Sequence, residues 1–115
     1  MTGNEFVARL RAEVPKFSDS VDEHLADNDE LLLHLLLSDL ARTCSTAWRS
    51  EGVELTRSAL ALLDAALTDG DDYVSNAVSV SFVEDIGPWD PTVRDFVASW
   101  PPALLQDARR AGFID

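Results

Sequence analysis

The longest apolar run in the chain lies within residues 30–48 and predicts the helix around which the other elements pack. Six leucines surround one histidine, His34, in this run: Leu31, Leu32, Leu33, Leu35, Leu36 and Leu37. A helix that is apolar all round is typical of a protein core, so we expect this stretch to be buried on every side. After Leu37 the apolar positions narrow to one face, which extends to Trp48.

Two amphipathic helices are predicted before this run. The first starts at Thr2 or Asn4, whose side chains can cap a helix, and ends at Val14, because a proline follows it. The second covers residues 15–26 and is apolar only at every fourth position, so it should lie on the outside of the fold. Residues 27–29 have N-cap chemistry and predict the start of the central helix.

The second half of the chain predicts further helices. A break is expected at residues 50–52, and residues 53–67 then carry a wide stripe of leucine and alanine that ends before Gly70. The central helix and this one should form an antiparallel αα-hairpin, as in repeat-like helical folds. Residues 91–100 and 102–111 predict two short helices, each with a proline in its first turn.

Residues 73–86 fit two periodicities. Residues 78–83 alternate between apolar and polar side chains as in a strand, whereas every fourth residue of the whole segment forms an apolar helical face. We predict a helix, because Asp71 offers an N-cap and Gly87 followed by Pro88 is typical of a helix end. A lone strand would also have no partner elsewhere in the chain.

Length and composition favour one all-α domain that covers residues 1–115, a compact bundle of about seven helices with a buried, leucine-rich centre. A chain of this size buries roughly two thirds of its unfolded surface. Nine Lys and Arg oppose 21 Asp and Glu, and the net charge of −12 should repel nucleic acid and anionic lipid. A basic protein partner is therefore expected.

The compartment is predicted from the single cysteine and from the first residues. Cys44 cannot form an internal disulfide, which fits a reducing cytoplasm. Residues 1–15 mix charges and lack the apolar core of a signal peptide. The apolar run around His34 is too short to cross a bilayer. We therefore expect a cytoplasmic protein with no membrane segment.

Two blocks of the chain carry a resemblance to a known family. They are residues 30–42, ELLLHLLLSDLAR, and residues 70–86, GDDYVSNAVSVSFVEDI. With them, residues 18–105 resemble a family of small, acidic, all-helical bacterial proteins classified as a domain of unknown function. Such proteins resemble the single-domain immunity or accessory proteins encoded near bacterial secreted toxins. The resemblance supports the helical fold and carries over no functional residue.

Two groups of carboxylates are the most prominent polar features. Six lie within residues 19–30, with no lysine or arginine among them, and a second group, Asp64, Asp69, Asp71 and Asp72, surrounds the turn after the fourth helix. They form either a solvated face or a patch that docks a basic partner, since like charges repel each other and complementary charge steers association. The sequence leaves open whether the two groups adjoin.

Three tryptophans also bear on partner binding. Trp48 is predicted to lie in the core, whereas Trp89 and Trp100 flank a proline-rich stretch, where an indole either packs over a turn or anchors a contact surface. The residues predicted to bind a partner are Asp19, Asp22, Glu23, Asp27, Asp29, Glu30, Asp69, Asp71, Asp72 and Trp89.

Candidates for chemistry are weak. Glu23, His24 and Asp27 share a helical face, but zinc sites usually need more histidine or cysteine than this chain has. His34 is expected to be a buried, hydrogen-bonded neutral imidazole, and Cys44 a small core residue rather than a nucleophile. We therefore predict no catalytic residue, no metal and no cofactor.

These patterns favour a non-enzymatic cytosolic binding protein, of the immunity type, which neutralises a basic protein through its acidic face. A cognate toxin is the candidate partner, and mimicry of nucleic acid is a variant of the same idea. The alternative is a structural or adaptor module that acts as a homo-oligomer. An enzyme is disfavoured because no nucleophile, metal set or phosphate loop stands out.

Overall fold

A computed structural model describes residues 1–50 and 52–115, which form helices and short turns and contain no strand. The helices are α1 Gly3–Glu13, α2 Ser18–Asn28, α3 Leu33–Arg49, α4 Val53–Asp69, α5 Asp72–Val78, α6 Arg94–Ala98 and α7 Pro102–Arg110. Short 3₁₀ turns at Pro15–Phe17 and Pro91–Val93 precede α2 and α6, and α5 continues as a π-helix, Ser79–Glu84. The predicted all-α bundle is confirmed. Within the predicted break at 50–52, residue 51 lies outside the described residues.

Helix α3 lies at the centre, packed against α4, α5 and the π-helix, while α1 and α7 pack on α4. Its buried side chains are Leu33, Leu36, Leu37, Leu40, Ala41 and Cys44. Every other helix adds apolar side chains to the same cluster, from Phe6 in α1 to Leu104 in α7. None of the described helices is both long enough and apolar enough to cross a membrane.

The central helix starts three residues later than predicted. Residues 27–29 do not cap it, because Asn28 is the last residue of α2 and Asp29 adopts a left-handed conformation, with φ 57°, at the carboxyl end of that helix. Aspartate and asparagine favour both helix starts and left-handed helix ends, so their pattern fits either role. Leu31 and Leu32 therefore lie in the linker between α2 and α3.

Burial on every side of α3 was also a wrong expectation. Leu35 is 52% exposed, and His34 is only half-buried. The physical reason is that α2 packs against α1 and the first 3₁₀ turn rather than along α3. The face of α3 that carries Leu35 therefore borders an open groove.

Two distant side chains satisfy the first amides of α3 in place of a local cap. The main-chain N–H of Leu32 donates to Nε2 of His24 at 3.0 Å, and that of Leu33 donates to the hydroxyl of Tyr73 at 3.4 Å. His24 is buried, although the sequence pattern did not mark it as a core position. These bonds tie α2 and α5 to the start of α3.

The segment with two possible periodicities is helical, as predicted. Asp71 accepts from the main-chain N–H of Val74 at 2.9 Å, and Gly87 follows the helix with φ 73°. The sequence did not predict the π-helix, Ser79–Glu84, in which main-chain hydrogen bonds span five residues instead of the four of an α-helix. Ser79 in this π-helix donates to Asp107 of α7 at 2.8 Å, so side-chain contacts accompany the wider turn.

The tryptophans divide between core and surface. Trp100 is buried and lies next to Phe82 and Phe96, which agrees with the packing alternative. Trp48 is half-buried against Phe96, so it is less enclosed than expected. Trp89 is 58% exposed and therefore remains open for contact with a partner.

Candidate interaction surface

Parts of the two acidic groups lie at the same end of the bundle, whereas Asp19, Asp22 and Asp64 lie elsewhere, Asp64 accepting from the main-chain N–H of Leu104 at 3.1 Å. Gly3 is so close to the α2–α3 linker and to α5 that a β-carbon on it would lie 3.5 Å from Leu31 and 3.7 Å from Tyr73. The main-chain N–H of Asp71 also donates to the carbonyl of Met1 at 2.8 Å. We call this region the acidic end, and it carries Glu5, Asp29, Glu30, Asp69, Asp71 and Asp72, all exposed.

Helix starts account for part of this charge, because α1, α3 and α5 all begin at the acidic end. Thr2 and Glu5 form a reciprocal capping box at α1, and the hydrogen bond from the main-chain N–H of Thr2 holds the pKa of Glu5 below its usual value. Asp71 caps α5, and Asp72 lies in its first turn. Carboxylates stabilise helix N-termini, so these residues have a structural role in addition to any role in binding.

Two acids on α2 are also accounted for by the fold. Asp22 forms an ion pair with Arg11 of α1, with 2.7 Å between the nearest side-chain atoms. Asp19 lies in the first turn of α2, where the helix dipole favours negative charge. The acidic segment that lacks basic residues in sequence thus receives one arginine from the preceding helix.

Three further acids lie at the carboxyl ends of helices, where the helix dipole disfavours negative charge. Asp27 is in the last turn of α2, Asp29 follows that helix, and Asp69 is the last residue of α4. Neither helix has a basic residue in its last turn. Negative charge at a helix carboxyl end costs about 0.3–1 kcal/mol. The charges of Asp27 and Asp29 are therefore not explained by stability, whereas the ammonium of Met1 donates to the carbonyl of Asp69 at 2.7 Å and supplies positive charge at the end of α4.

A groove between α2 and α3 brings some of these acids next to an apolar side chain. Its volume is about 490 Å³, and its lining residues are Ser20, Glu23, His24, Asp27, Asn28, Leu35, Asp39, Arg42 and Thr43. Arg42 is paired with Asp39, so three carboxylates face one arginine in this acidic groove. Leu35 is the large exposed apolar side chain within it. An apolar centre with a polar rim is typical of protein interfaces.

The acidic groove does not hold the arrangement of a metal site. His24 uses Nε2 to accept from the Leu32 amide, so this nitrogen is not available as a ligand beside Glu23 and Asp27. Among the described residues, no group of three or more His, Cys, Asp or Glu side chains is placed to hold a metal ion. Asn28 in turn donates to the carbonyl of His24 at 2.8 Å, so the polar floor of the groove has its own partners.

Two residues with nucleophilic groups are enclosed. Cys44 is buried, and burial raises the pKa of its thiol to about 12, so the thiolate that a nucleophile requires is disfavoured. Ser81 lies 2.6 Å from Nδ1 of His34, within the reach of a nucleophile and its base, but it is buried in the π-helix. Both arrangements serve packing between α3 and its neighbours.

Trp89 is not brought together with the acidic residues. It follows the π-helix, whereas Asp71 caps α5 and Asp72 is the first residue of that helix, and the helical path from residue 72 to residue 86 spans about 20 Å. The indole instead packs edge-on against Phe113, with 5.0 Å between ring centres. The predicted partner-binding residues therefore do not form one continuous surface, and Trp89 is separate from the acids.

The comparison with known families gives a match over most of the chain. The sequence model of one family, described as a domain of unknown function (DUF7674), matches residues 7–113. The chain belongs to this family. The match includes both blocks on which the resemblance rested, residues 30–42 and 70–86, and confirms membership in a family of unknown function. No curated protein and no solved structure matches the chain.

Proposed function

We propose that the protein is a non-enzymatic cytoplasmic binding protein of the immunity type, which docks a basic protein partner in the acidic groove. The observation that carries this proposal is the 52% exposure of Leu35 between the carboxylates of Glu23 and Asp27 on α2 and Asp39 on α3. An exposed leucine supplies an apolar anchor, and the surrounding acids select a partner with lysine or arginine around its contact point.

The groove is held in place before a partner arrives. The hydrogen bond from the Leu32 amide to the buried His24 fastens α2 to the start of α3, and the exposed ion pair between Arg11 and Asp22 adds a weaker link to α1. A pre-organised surface loses little conformational entropy on binding. Because α2 is already ordered in the free protein, binding a partner requires no further loss of conformational entropy there.

Charge at the acidic end adds steering over a longer range. The chain carries a net charge of −12, and Asp29 lies at the carboxyl end of α2, where negative charge lowers stability rather than raises it. Such charge raises the association rate with a basic protein, and salt screens it over about 8–10 Å. The acidic end is thus the approach surface, and the groove is the contact.

The immunity type and the compartment rest on the sequence and on one buried thiol. The resemblance to single-domain immunity proteins, on which the immunity type rests, makes a secreted toxin the proposed basic partner. Cys44 is a free, buried thiol, and a reducing cytoplasm preserves such a thiol.

The experiment compares three proteins: the parent, a groove variant with Leu35→Ser, Glu23→Gln and Asp27→Asn, and a control with Glu84→Gln and Asp85→Asn. The control removes exposed charge outside the groove. Each protein is used to capture partners from cells of the source organism, and association with the purified partner is then followed by stopped-flow fluorescence at low and high salt.

We expect the groove variant to associate more slowly, with a weaker salt dependence and faster dissociation, while the control differs from the parent only in its approach rate. Equal kinetics for all three proteins would refute docking in the acidic groove. A captured partner that is acidic, or that binds equally fast at every salt concentration, would refute selection by charge.

The adaptor alternative rests on a different region. A mainly apolar cavity of about 330 Å³ lies beside Trp48 and includes the exposed Val53 together with Leu60 and Pro101. An apolar contact of this kind suits a second copy of the chain better than a basic partner. Analytical ultracentrifugation of the parent and of Val53→Asp over a range of concentrations distinguishes the two proposals. Only the adaptor alternative expects the parent to form a dimer that this substitution disrupts.

A further inference from the structure

A second groove lies in the region around Trp89. It has a volume of about 570 Å³ and lies between the segment before α6, helices α6 and α7, and the residues after α7. Its lining includes Trp89, Asp90, Pro91, Arg94, Arg109, Phe113 and Asp115. We call it the arginine groove, because Arg94 and Arg109 supply its positive charge.

Arg94 and Arg109 form no salt bridge in the described part of the structure, although the chain has many more acidic than basic residues. Acids outnumber bases by 21 to 9, and the salt bridges found among the described residues involve Arg9, Arg11 and Arg42. Neither Arg94 nor Arg109 is paired with a carboxylate side chain in that part of the structure. In a chain of net charge −12, such arginines are available to an external anion.

The two acids that line the groove, Asp90 and Asp115, equal the two arginines in formal charge, but no salt bridge joins them in the part of the chain that the structure describes. The carboxylate of Asp90 accepts from both the main-chain N–H and the hydroxyl of Thr92 at 2.9 Å, and the main-chain bond chiefly lowers its pKa. The other lining acid, Asp115, meets Arg109 through its main-chain oxygen, 3.2 Å from Nε. The guanidinium of Arg94 and the terminal nitrogens of Arg109 remain for a ligand.

The groove already holds a short stretch of its own chain, and this stretch shows which chemistry fits. Phe113 packs edge-on against Trp89, and two residues later an oxygen of Asp115 meets Arg109. Beyond this contact Trp89 is still 58% exposed. An apolar side chain on the indole and a hydrogen-bond acceptor at an arginine are therefore both accommodated here.

We propose that the arginine groove binds a short acidic segment of a partner protein, with an apolar side chain against Trp89 and a neighbouring carboxylate at Arg94. Aromatic and proline side chains offer a flat apolar surface to an extended peptide, and arginine pairs with a carboxylate in a bidentate manner. The chemistry is opposite to that of the acidic groove. The same molecule can thus contact a basic surface at one region and an acidic segment at the other.

The test uses a phage-displayed library of random peptides panned against the full chain. We expect the enriched peptides to carry aspartate or glutamate next to an aromatic or aliphatic residue. Synthetic versions of these peptides should shift the indole N–H signal of Trp89 in two-dimensional NMR spectra. Arg94→Gln should weaken their binding by about tenfold or more, because a charge-assisted contact is lost.

Matched variants keep this test specific. Arg110→Gln removes the same charge from an exposed position on α7 that does not line the groove, so it should bind like the parent. Thermal unfolding of both variants checks that the fold is intact. Leu35→Ser should leave peptide binding unchanged, which separates this proposal from the one for the acidic groove.

Four results would overturn the proposal. The first is enrichment of basic or neutral peptides, or of none. The second is equal weakening by Arg94→Gln and Arg110→Gln. The third is benzoate binding as tightly as the peptides, which would make a small acid the ligand. The fourth is a concentration-dependent dimer, lost in Arg94→Gln, which would make a second copy of the chain the occupant.

Discussion

The imidazole of His34 and the hydroxyl of Ser81 are hydrogen-bonded across the contact between α3 and the π-helix, with 2.6 Å between Nδ1 and Oγ. Ser38, one turn after His34, donates to the carbonyl of Ser81 at 3.4 Å. The half-exposed histidine can turn to water, whereas the buried serine cannot. Loss of this hydrogen bond should therefore cost more at the Ser81 hydroxyl than at the His34 ring.

Replacing His34 should destabilise the protein in a manner that depends on the replacement. His34→Leu leaves a buried hydroxyl without its partner and should cost about 1–3 kcal/mol. His34→Asn keeps a polar atom near the position of Nδ1 and should cost less. Urea unfolding followed by circular dichroism measures both values. Equal losses would show that the ring's packing, rather than its hydrogen bond, stabilises this contact.

Leu35 and Leu36 are neighbours in α3 that should respond differently to truncation. Leu36 is fully buried, so Leu36→Ala should cost on the order of 2–5 kcal/mol through lost burial and a new cavity. Leu35 is 52% exposed, so Leu35→Ala should cost less than about 1 kcal/mol. Urea titration of the two variants provides the comparison. A loss at position 35 as large as that at 36 would contradict the groove beside α3.

Cys44 should be protected from thiol reagents while the protein is folded. Its side chain is buried and burial raises the pKa of the thiol to about 12, so little thiolate exists at neutral or mildly alkaline pH. Reaction with Ellman's reagent should therefore be slow in buffer and fast in concentrated urea. Fast labelling of the folded protein, at the rate of a free thiol, would place Cys44 outside the core.

The same shift predicts a loss of stability at high pH. Folding raises the pKa of Cys44, so the protonated thiol stabilises the folded state. This stabilisation is fully present below the pKa of the unfolded thiol and is lost as the pH rises towards the folded value of about 12. From an unfolded pKa of about 8.5, the loss by pH 10 is about 2 kcal/mol. Cys44→Ala should lack this part of the pH dependence. Parallel curves for parent and variant in urea between pH 8 and pH 10 would contradict it.

The features of the fold that the sequence predicted are local ones. Thr2 with Glu5 and Asp71 with Gly87 specify helix ends through side chains a few residues away, so these boundaries were readable. The late start of α3 could not be predicted from local sequence, because the first amides of this helix donate to His24 and Tyr73, which are distant in sequence. The π-helix was missed for the same reason, since its side chains bind α3 and α7.

The candidate site was predictable in composition but not in arrangement. The carboxylates of residues 19–30 were identified, yet only the fold shows that Asp22 is paired with Arg11 and that Asp69 lies at the same end as Asp29. Leu35 gave no signal, because it is one of six leucines in a run that reads as core. Exposure of one residue in such a run depends on where α2 packs, which is a property of the whole bundle.

Asp29 is held in an unfavourable state by the fold. Its φ of 57° is left-handed, a conformation that aspartate adopts more readily than most residues but less readily than glycine, and its charge lies at the carboxyl end of α2. Asp29→Gly removes both penalties and should stabilise the protein by about 0.5–1 kcal/mol. Asp29→Asn removes the charge alone and should give a smaller gain, whereas Asp29→Ala should destabilise, because alanine tolerates this conformation poorly.

The order of stability is therefore expected to be Gly, Asn, Asp and Ala at position 29, measured by urea unfolding at neutral pH. The comparison of Asn with Asp isolates the charge, and repeating it in high salt should shrink the difference. If Asp29 also contributes to the acidic end as a partner-binding residue, the more stable variants should associate more slowly with the partner. A parent more stable than both Asp29→Gly and Asp29→Asn would show that the carboxylate has a favourable contact at this position.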